Sequence, residues 1–150
     1  MIQSILLSMA LVAAAPEAAD DVKDDAVVCF EHDGSTDEAV WISVAERYFS
    51  GAKKWREVVL EPGKKTCIRY DNLRFVIPQP YTMSEIERRQ AEKDQISPWR
   101  PGVCGRLSKN SANYLKLSVN PDGEMSCTAD NGRSDEDIRG LVSSSNPITG

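Results

Sequence analysis

The chain has 150 residues, 41% of them apolar and 27% charged, with a formal charge of −5. That length holds one domain rather than two, and the balance of residue types excludes a wholly disordered chain. The negative charge disfavours nucleic acid as a partner. With no Gly-rich phosphate loop, dinucleotide fingerprint or zincin motif, no cofactor is implied.

Residues 1–19 read as a secretory signal peptide. Ile2 to Ala15 is free of charge, shorter than the roughly 20 apolar residues of a spanning helix, and it runs into small residues before an acidic stretch. No Lys or Arg precedes it, and Pro16 stands directly after the Ala13-x-Ala15 pattern, so cleavage is placed between residues 14 and 19. The expectation is a periplasmic or secreted protein without a membrane span after cleavage. It would have one β-rich domain over 20–132 and a flexible tail over 133–150.

Export sets the reading of the four cysteines. In an oxidising compartment Cys29, Cys67, Cys104 and Cys127 are most simply two disulfides. Cys29–Cys67 with Cys104–Cys127 is the most economical pairing, each bridge closing within its own half of the sheet. No C-x-x-C pair occurs and the chain has one histidine, so no metal site is expected.

Ala26 to Phe30 (AVVCF) reads as a strand, and EHDGSTDE after it as a loop. AVWISVAERYF alternates, with Val40, Ile42 and Val44 on one face and Trp41, Ser43 and Ala45 on the other, which predicts a strand with one buried face. WREVVL and KTCIRY flank Glu61-Pro62-Gly63-Lys64, a type II turn signal. With LRFVI following Asp71-Asn72, residues 55–77 are expected to form a three-strand meander.

Thr82-x-x-Glu85 is a capping-box signature. It opens a helix over about 82–96 whose thin apolar stripe (Met83, Ile86, Ala91) predicts a surface or connecting element. SPWRPGVCG is an irregular, proline-broken entry to a second β region. There YLKLSV and EMSCT flank Asn120-Pro121-Asp122-Gly123 as a hairpin. Ser134 is placed to cap a brief helix through Asp137 to Val142. The fold class is therefore mainly β, a small antiparallel sandwich or barrel-like domain with one helix and two disulfides.

Catalytic constellations are sparse. His32 has no nucleophile elbow to serve. Asp33, Ser35 and Asp37 open like a calcium loop, but Glu38 stands where the sharp turn needs glycine and Val44 where the bidentate carboxylate belongs. No catalytic residue is assigned. Carboxylate pairs for hydrolysis stay possible among the 23 acids.

Charge is uneven. Residues 17–38 carry nine acids against Lys23, whereas residues 47–75 carry eight bases against three acids, so the two segments attract each other. Within the basic segment Lys53, Trp55, Lys64, Lys65, Arg69 and Tyr70 are the candidate binding residues, as an anion or glycan surface. The simpler reading is a strand whose exposed Lys and Arg discourage edge pairing. Ser50-Gly51-Ala52-Lys53 resembles, over four residues, part of the motif region of periplasmic lysozyme inhibitors; membership in that family is not claimed. The expected function is an exported, non-enzymatic binding or accessory protein with a protein or glycan partner. The alternatives are a carboxylate-dependent hydrolase, and an inhibitor of an envelope-acting enzyme.

Overall fold

The computed structural model describes residues 26–108, 112–144 and 148–149; the expected signal peptide lies outside them. Among the described residues nine strands form two sheets: β1 (Ala26–His32), β2 (Val40–Tyr48), β3 (Lys53–Leu60), β4 (Lys65–Tyr70), β5 (Leu73–Thr82), β6 (Leu107–Ser108), β7 (Ala112–Val119), β8 (Met125–Ala129) and β9 (Ile148–Thr149). One sheet has the order β8-β7-β1-β4-β9 and the other β3-β2-β5-β6. Helix α1 (Met83–Ala91) follows β5, and α2 (Asp135–Ser144) follows β8. Among the described residues no helix is long and apolar enough to cross a membrane.

The mainly β sandwich expected from the alternation is present. Its main core lies between the sheets, where Phe30, Ile68 and Leu117 from one meet Ile42, Val44 and Val76 from the other. In β2 the inward set continues past Val44 to Glu46 and Tyr48, and the outward set is also covered, since Ser43 and Ala45 are wholly buried. The pairing is not all antiparallel: β1 pairs β7 and β4 pairs β9 in parallel.

The expected meander over residues 55–77 does not form. β3 pairs β2, β4 pairs β1, and β5 pairs β2, so the chain crosses from one sheet to the other and back. The turn itself is as expected, with the Lys64 amide donating to Glu61 O and Gly63 at φ 78°. What decides its partner is β1: the Gly63 amide donates to His32 O and the His32 amide to Lys64 O. These bonds fasten the turn to the end of β1 and send β4 along that strand. The return turn uses Asn72 at φ 59°, a left-handed conformation that Asn tolerates, and Asn72 O accepts from the Phe49 amide beyond β2.

Helix α1 is shorter than the expected 82–96. Lys93 adopts φ 58°, and the amides of Lys93 and Asp94 turn back to Gln90 O and Arg89 O, a Schellman ending made without glycine. The capping box is half realised: Thr82 Oγ1 accepts from the Glu85 amide, but the Glu85 carboxylate bonds Arg88 and Arg89 instead. Glu38, from the loop before β2, caps a different amide by accepting from the Ser84 N–H.

The stretch assigned to a tail contains α2. Ser134 Oγ accepts from the Asp137 amide, and Asp137 Oδ2 accepts from the Ser134 amide. Ile138 is buried against Val27, Tyr114 and the Cys29–Cys67 bridge, so this helix covers part of the outer face of the five-stranded sheet.

Both expected disulfides are formed. Cys29 and Cys67 are directly opposed between β1 and β4. Cys104–Cys127 does something different from closing one half of a sheet: it ties the loop after α1 to β8, the edge strand of the other sheet. Replacing both Cys29 and Cys67 by Ala is expected to lower the unfolding free energy by about 3–4 kcal/mol, from the separation of 38 residues. The measurement is the urea midpoint at constant m value, with peptide mapping to verify the pairing.

Candidate functional site

The six candidate residues do not share a surface. Lys53 and Trp55 lie on the outer face of the four-stranded sheet. Lys65 and Arg69 share with Cys67 the outer face of the five-stranded sheet, on the far side of the molecule, and Lys64 is in the turn leading there. Tyr70, in phase with Thr66 and Ile68, is wholly buried in the core and offers nothing to a partner in solvent.

Lys53 and Trp55 belong to a face that the register defines row by row. Across β3, β2 and β5 its rows are Val59-Trp41-Tyr81, Glu57-Ser43-Gln79, Trp55-Ala45-Ile77 and Lys53-Arg47-Phe75. Trp55 is 53% exposed, yet its indole Nε1–H donates to Ser43 Oγ at 2.7 Å. The ring therefore leans across the sheet toward β2, its polar edge against the protein and a carbon face toward solvent. Trp41 lies on the other side of Ser43 and packs on Tyr81, ring centroids 5.9 Å apart. The guanidinium of Arg89 sits 5.2 Å over the Tyr81 ring and is ion-paired with Glu85.

Helix α1 and the loop after it build walls above this face. Gln79, nearly buried, donates its amide to the carbonyls of Ser97 and Arg100 and accepts from the Tyr81 hydroxyl. Lys53 Nζ lies 5.7 Å over the Trp99 ring of the same loop. Between walls and sheet run three adjoining depressions of about 380, 190 and 430 Å3, all bordered by Arg89. The first contains Trp41, Trp55, Glu57, Ile86 and Asp94, and the second and third share Gln79 and Tyr81. Together they form a groove that starts on the outer face of the sheet and runs past Arg89 and β5 to the turn between β7 and β8, where Gly123, Glu124 and Met125 border it. Trp41, Tyr81, Glu57 and Arg89 were not among the sequence candidates. The signal for Trp41 was present in its phase with Ser43 and Ala45, opposite the apolar set of β2.

Other chemically interesting groups are occupied structurally. His32 is not the exposed loop residue its surroundings suggest but is wholly buried. Its Nδ1 accepts from the Gly34 amide and its Nε2 lies 2.7 Å from Glu38 O, as donor, so both ring nitrogens are engaged. In the calcium-like loop, Asp33 accepts from the Ser35 amide and Ser35 Oγ accepts from the Val119 amide. Among the described residues no group of three or more His, Cys, Asp or Glu is placed to hold a metal. Hydrogen bonds from Ser84 hold the Glu38 carboxyl below its ordinary range.

The most deeply buried carboxylate is Glu46, on the inward face of β2. Both its oxygens meet the Arg56 guanidinium, at 2.6 and 3.0 Å, and the Tyr48 hydroxyl donates to Oε1 at 2.8 Å. Arg56 also lies 5.8 Å over the Tyr70 ring. Glu46 and Arg56 are thus an ion pair inside the sandwich, away from the groove. Such a pair adds little net stability but leaves a costly orphan charge if one partner is removed.

Against that geometry, no known protein family, curated protein or solved structure matches the chain.

All four tyrosines are held un-ionised beyond the ordinary phenol range. Burial, followed by the bond to Glu46, raises Tyr48; burial and the charge of Glu46 raise Tyr70. Burial raises Tyr81, and burial with the bond to Glu31 pushes Tyr114 up to about 12. Since these pKa values are higher in the folded chain, the stability they contribute is complete below the unfolded value of about 10 and is lost as pH rises through the folded values. The expected outcome, read by absorbance at 295 nm, is phenolate with a midpoint near 10 in guanidinium but little at that pH in native protein. The urea midpoint should fall between about pH 10 and 12.

Proposed function

We propose that the chain is an exported, non-enzymatic binding or accessory module that holds its partner in the groove on the outer face of the four-stranded sheet. The observation that carries this reading is Trp55, an indole 53% exposed yet fixed in orientation by Ser43. An exposed Trp with its N–H already satisfied costs little ordering entropy on binding, and rigid aromatic anchors of this kind dominate interface energies. The walls give it a concave setting of the volume small ligands and chain segments occupy. The two disulfides suit an oxidising compartment, which supports the export part of the reading.

Two alternatives fit less well. A basic surface running from Lys53 to Phe75 would need residues that lie on opposite sides of the molecule. Carboxylate-dependent hydrolysis has Glu57 and Asp94 available in the groove, but both are exposed, whereas a general acid of that chemistry is partly desolvated. The lysozyme-inhibitor-like Ser50-Gly51 stretch serves as the tight β2–β3 turn, with Gly51 at φ 95° and its amide on Tyr48 O.

The test is retention of material from envelope and culture extracts on immobilised protein, compared with Trp55→Ala. Retention is expected to fall about tenfold or more in the variant, with its melting temperature recorded alongside because Ser43 loses a partner. Equal retention by both proteins, or none by either, overturns the reading. Appearance of cleaved products that vanish in Glu57→Gln or Asp94→Asn would make the protein a hydrolase instead.

A further inference from the structure

We infer that the groove takes an uncharged oligosaccharide, an assignment that rests on the groove being the binding site. The first ground is the surface offered. With the Trp55 N–H turned onto Ser43, what faces solvent is a carbon ring face, and the negative face of an aromatic ring attracts weakly positive C–H groups. A pyranose presents such a C–H face, with hydroxyls around its rim. Trp41 stands on the same sheet face beyond Ser43, so a chain lying along β2 meets both indoles.

The second ground is what surrounds the rings. Glu57, in the row between Trp55 and Trp41, and Gln90 and Asp94 across the groove are hydrogen-bonding groups at the rim. Carboxylates accept from hydroxyls, and the amide both donates and accepts. A purely apolar ligand would leave these groups without partners, which is costly.

Charge decides between saccharide classes. Glu57 and Asp94 border the first depression and Glu85 and Glu124 the third, against Arg100 in the second and Arg89, which is already ion-paired with Glu85 and stacked on Tyr81. The groove therefore has an excess of negative charge, and an anionic glycan, a phosphate or an acidic peptide would be repelled. Lys53, the nearest basic candidate, has its ammonium over Trp99. Extent decides length. Three depressions joined at Arg89 make a track longer than one sugar unit, so affinity rises with chain length until the track is filled. A basic peptide is the competing occupant, since Glu57 and Asp94 would attract it.

The probes are cellohexaose, chitohexaose, xylohexaose and mannohexaose, with hexagalacturonate and hexalysine as charged comparisons, followed by intrinsic Trp fluorescence and calorimetry. At least one neutral hexasaccharide is expected to bind more tightly than its dimer. Its affinity should change less than about twofold between 50 and 500 mM NaCl, because no ion pair is formed. Affinity should fall about tenfold in Trp55→Ala and several-fold in Glu57→Gln, an exposed position at which folding is not at stake.

Strong, salt-sensitive binding of hexalysine or hexagalacturonate in place of the neutral probes overturns the assignment. So does failure of every neutral probe, while Trp55-dependent retention from extracts would leave the groove itself standing. Neutral-glycan binding unchanged in both variants overturns groove and glycan together.

Discussion

Two short turns set the architecture. At Glu61–Lys64 and again at Asp71–Asn72 the chain leaves one sheet for the other, so three consecutive strands contribute two neighbours to β2 and one to β1. The amides and carbonyls that fasten the first turn to His32 make this exchange specific, because a turn anchored to the end of β1 delivers β4 in register beside it. Cys29 and Cys67 meet only because of that register, and so does the inward phase of Tyr70. Had β4 paired with β3 instead, Cys67 would have lain in the other sheet from Cys29.

The exchange also decides what each outer face must do. Both sheets are apolar inward, but β1 and β2 carry small or apolar residues outward as well: Val27 and Cys29 on one, Ser43 and Ala45 on the other. Each face therefore needs a cover. On the five-stranded sheet α2 supplies one through Ile138. On the four-stranded sheet α1 is short and mostly charged, and the loop after it is held by polar bonds to Gln79 rather than by a packed core. That cover is incomplete. The groove is the space it leaves, and Trp55 and Trp41 are the residues left bordering it.

Much of this was legible along the chain. Alternation located β2, turn chemistry located Gly63 and Gly123, and the expectation of export, with economy of pairing, led to the disulfides. The phase of KTCIRY already put Tyr70 with Ile68, so its place among surface candidates disagreed with its own strand pattern. Glu46 was equally readable, since it continues the Val40-Ile42-Val44 phase inward. Strand partnership was not readable, because Glu-Pro-Gly-Lys reverses a chain equally well within a sheet or between sheets, and the bonds to His32 that choose between them come from residues some thirty positions earlier. For the same reason the groove was invisible. Its floor and walls come from β2, β3, β5, α1, the loop after it and the turn between β7 and β8, and only the fold brings Trp41, Trp55 and Arg89 within reach of one ligand. His32 looked like part of a solvent-facing loop because nothing local in its acidic surroundings shows that β1 carries its ring inside.

The loop that walls the groove is fixed at both ends and in the middle, by the Schellman turn at Lys93, the Cys104–Cys127 bridge and the Gln79 amide. Yet no residue from 92 to 103 is buried. Covalent tethering thus takes over the work that core packing does elsewhere, and it separates the position of the wall from its composition. Substitutions at its exposed positions, such as Gln95, Arg100 and Val103, are therefore expected to cost little folding stability, and this wall is where a combinatorial library would be placed to redirect the groove's preference.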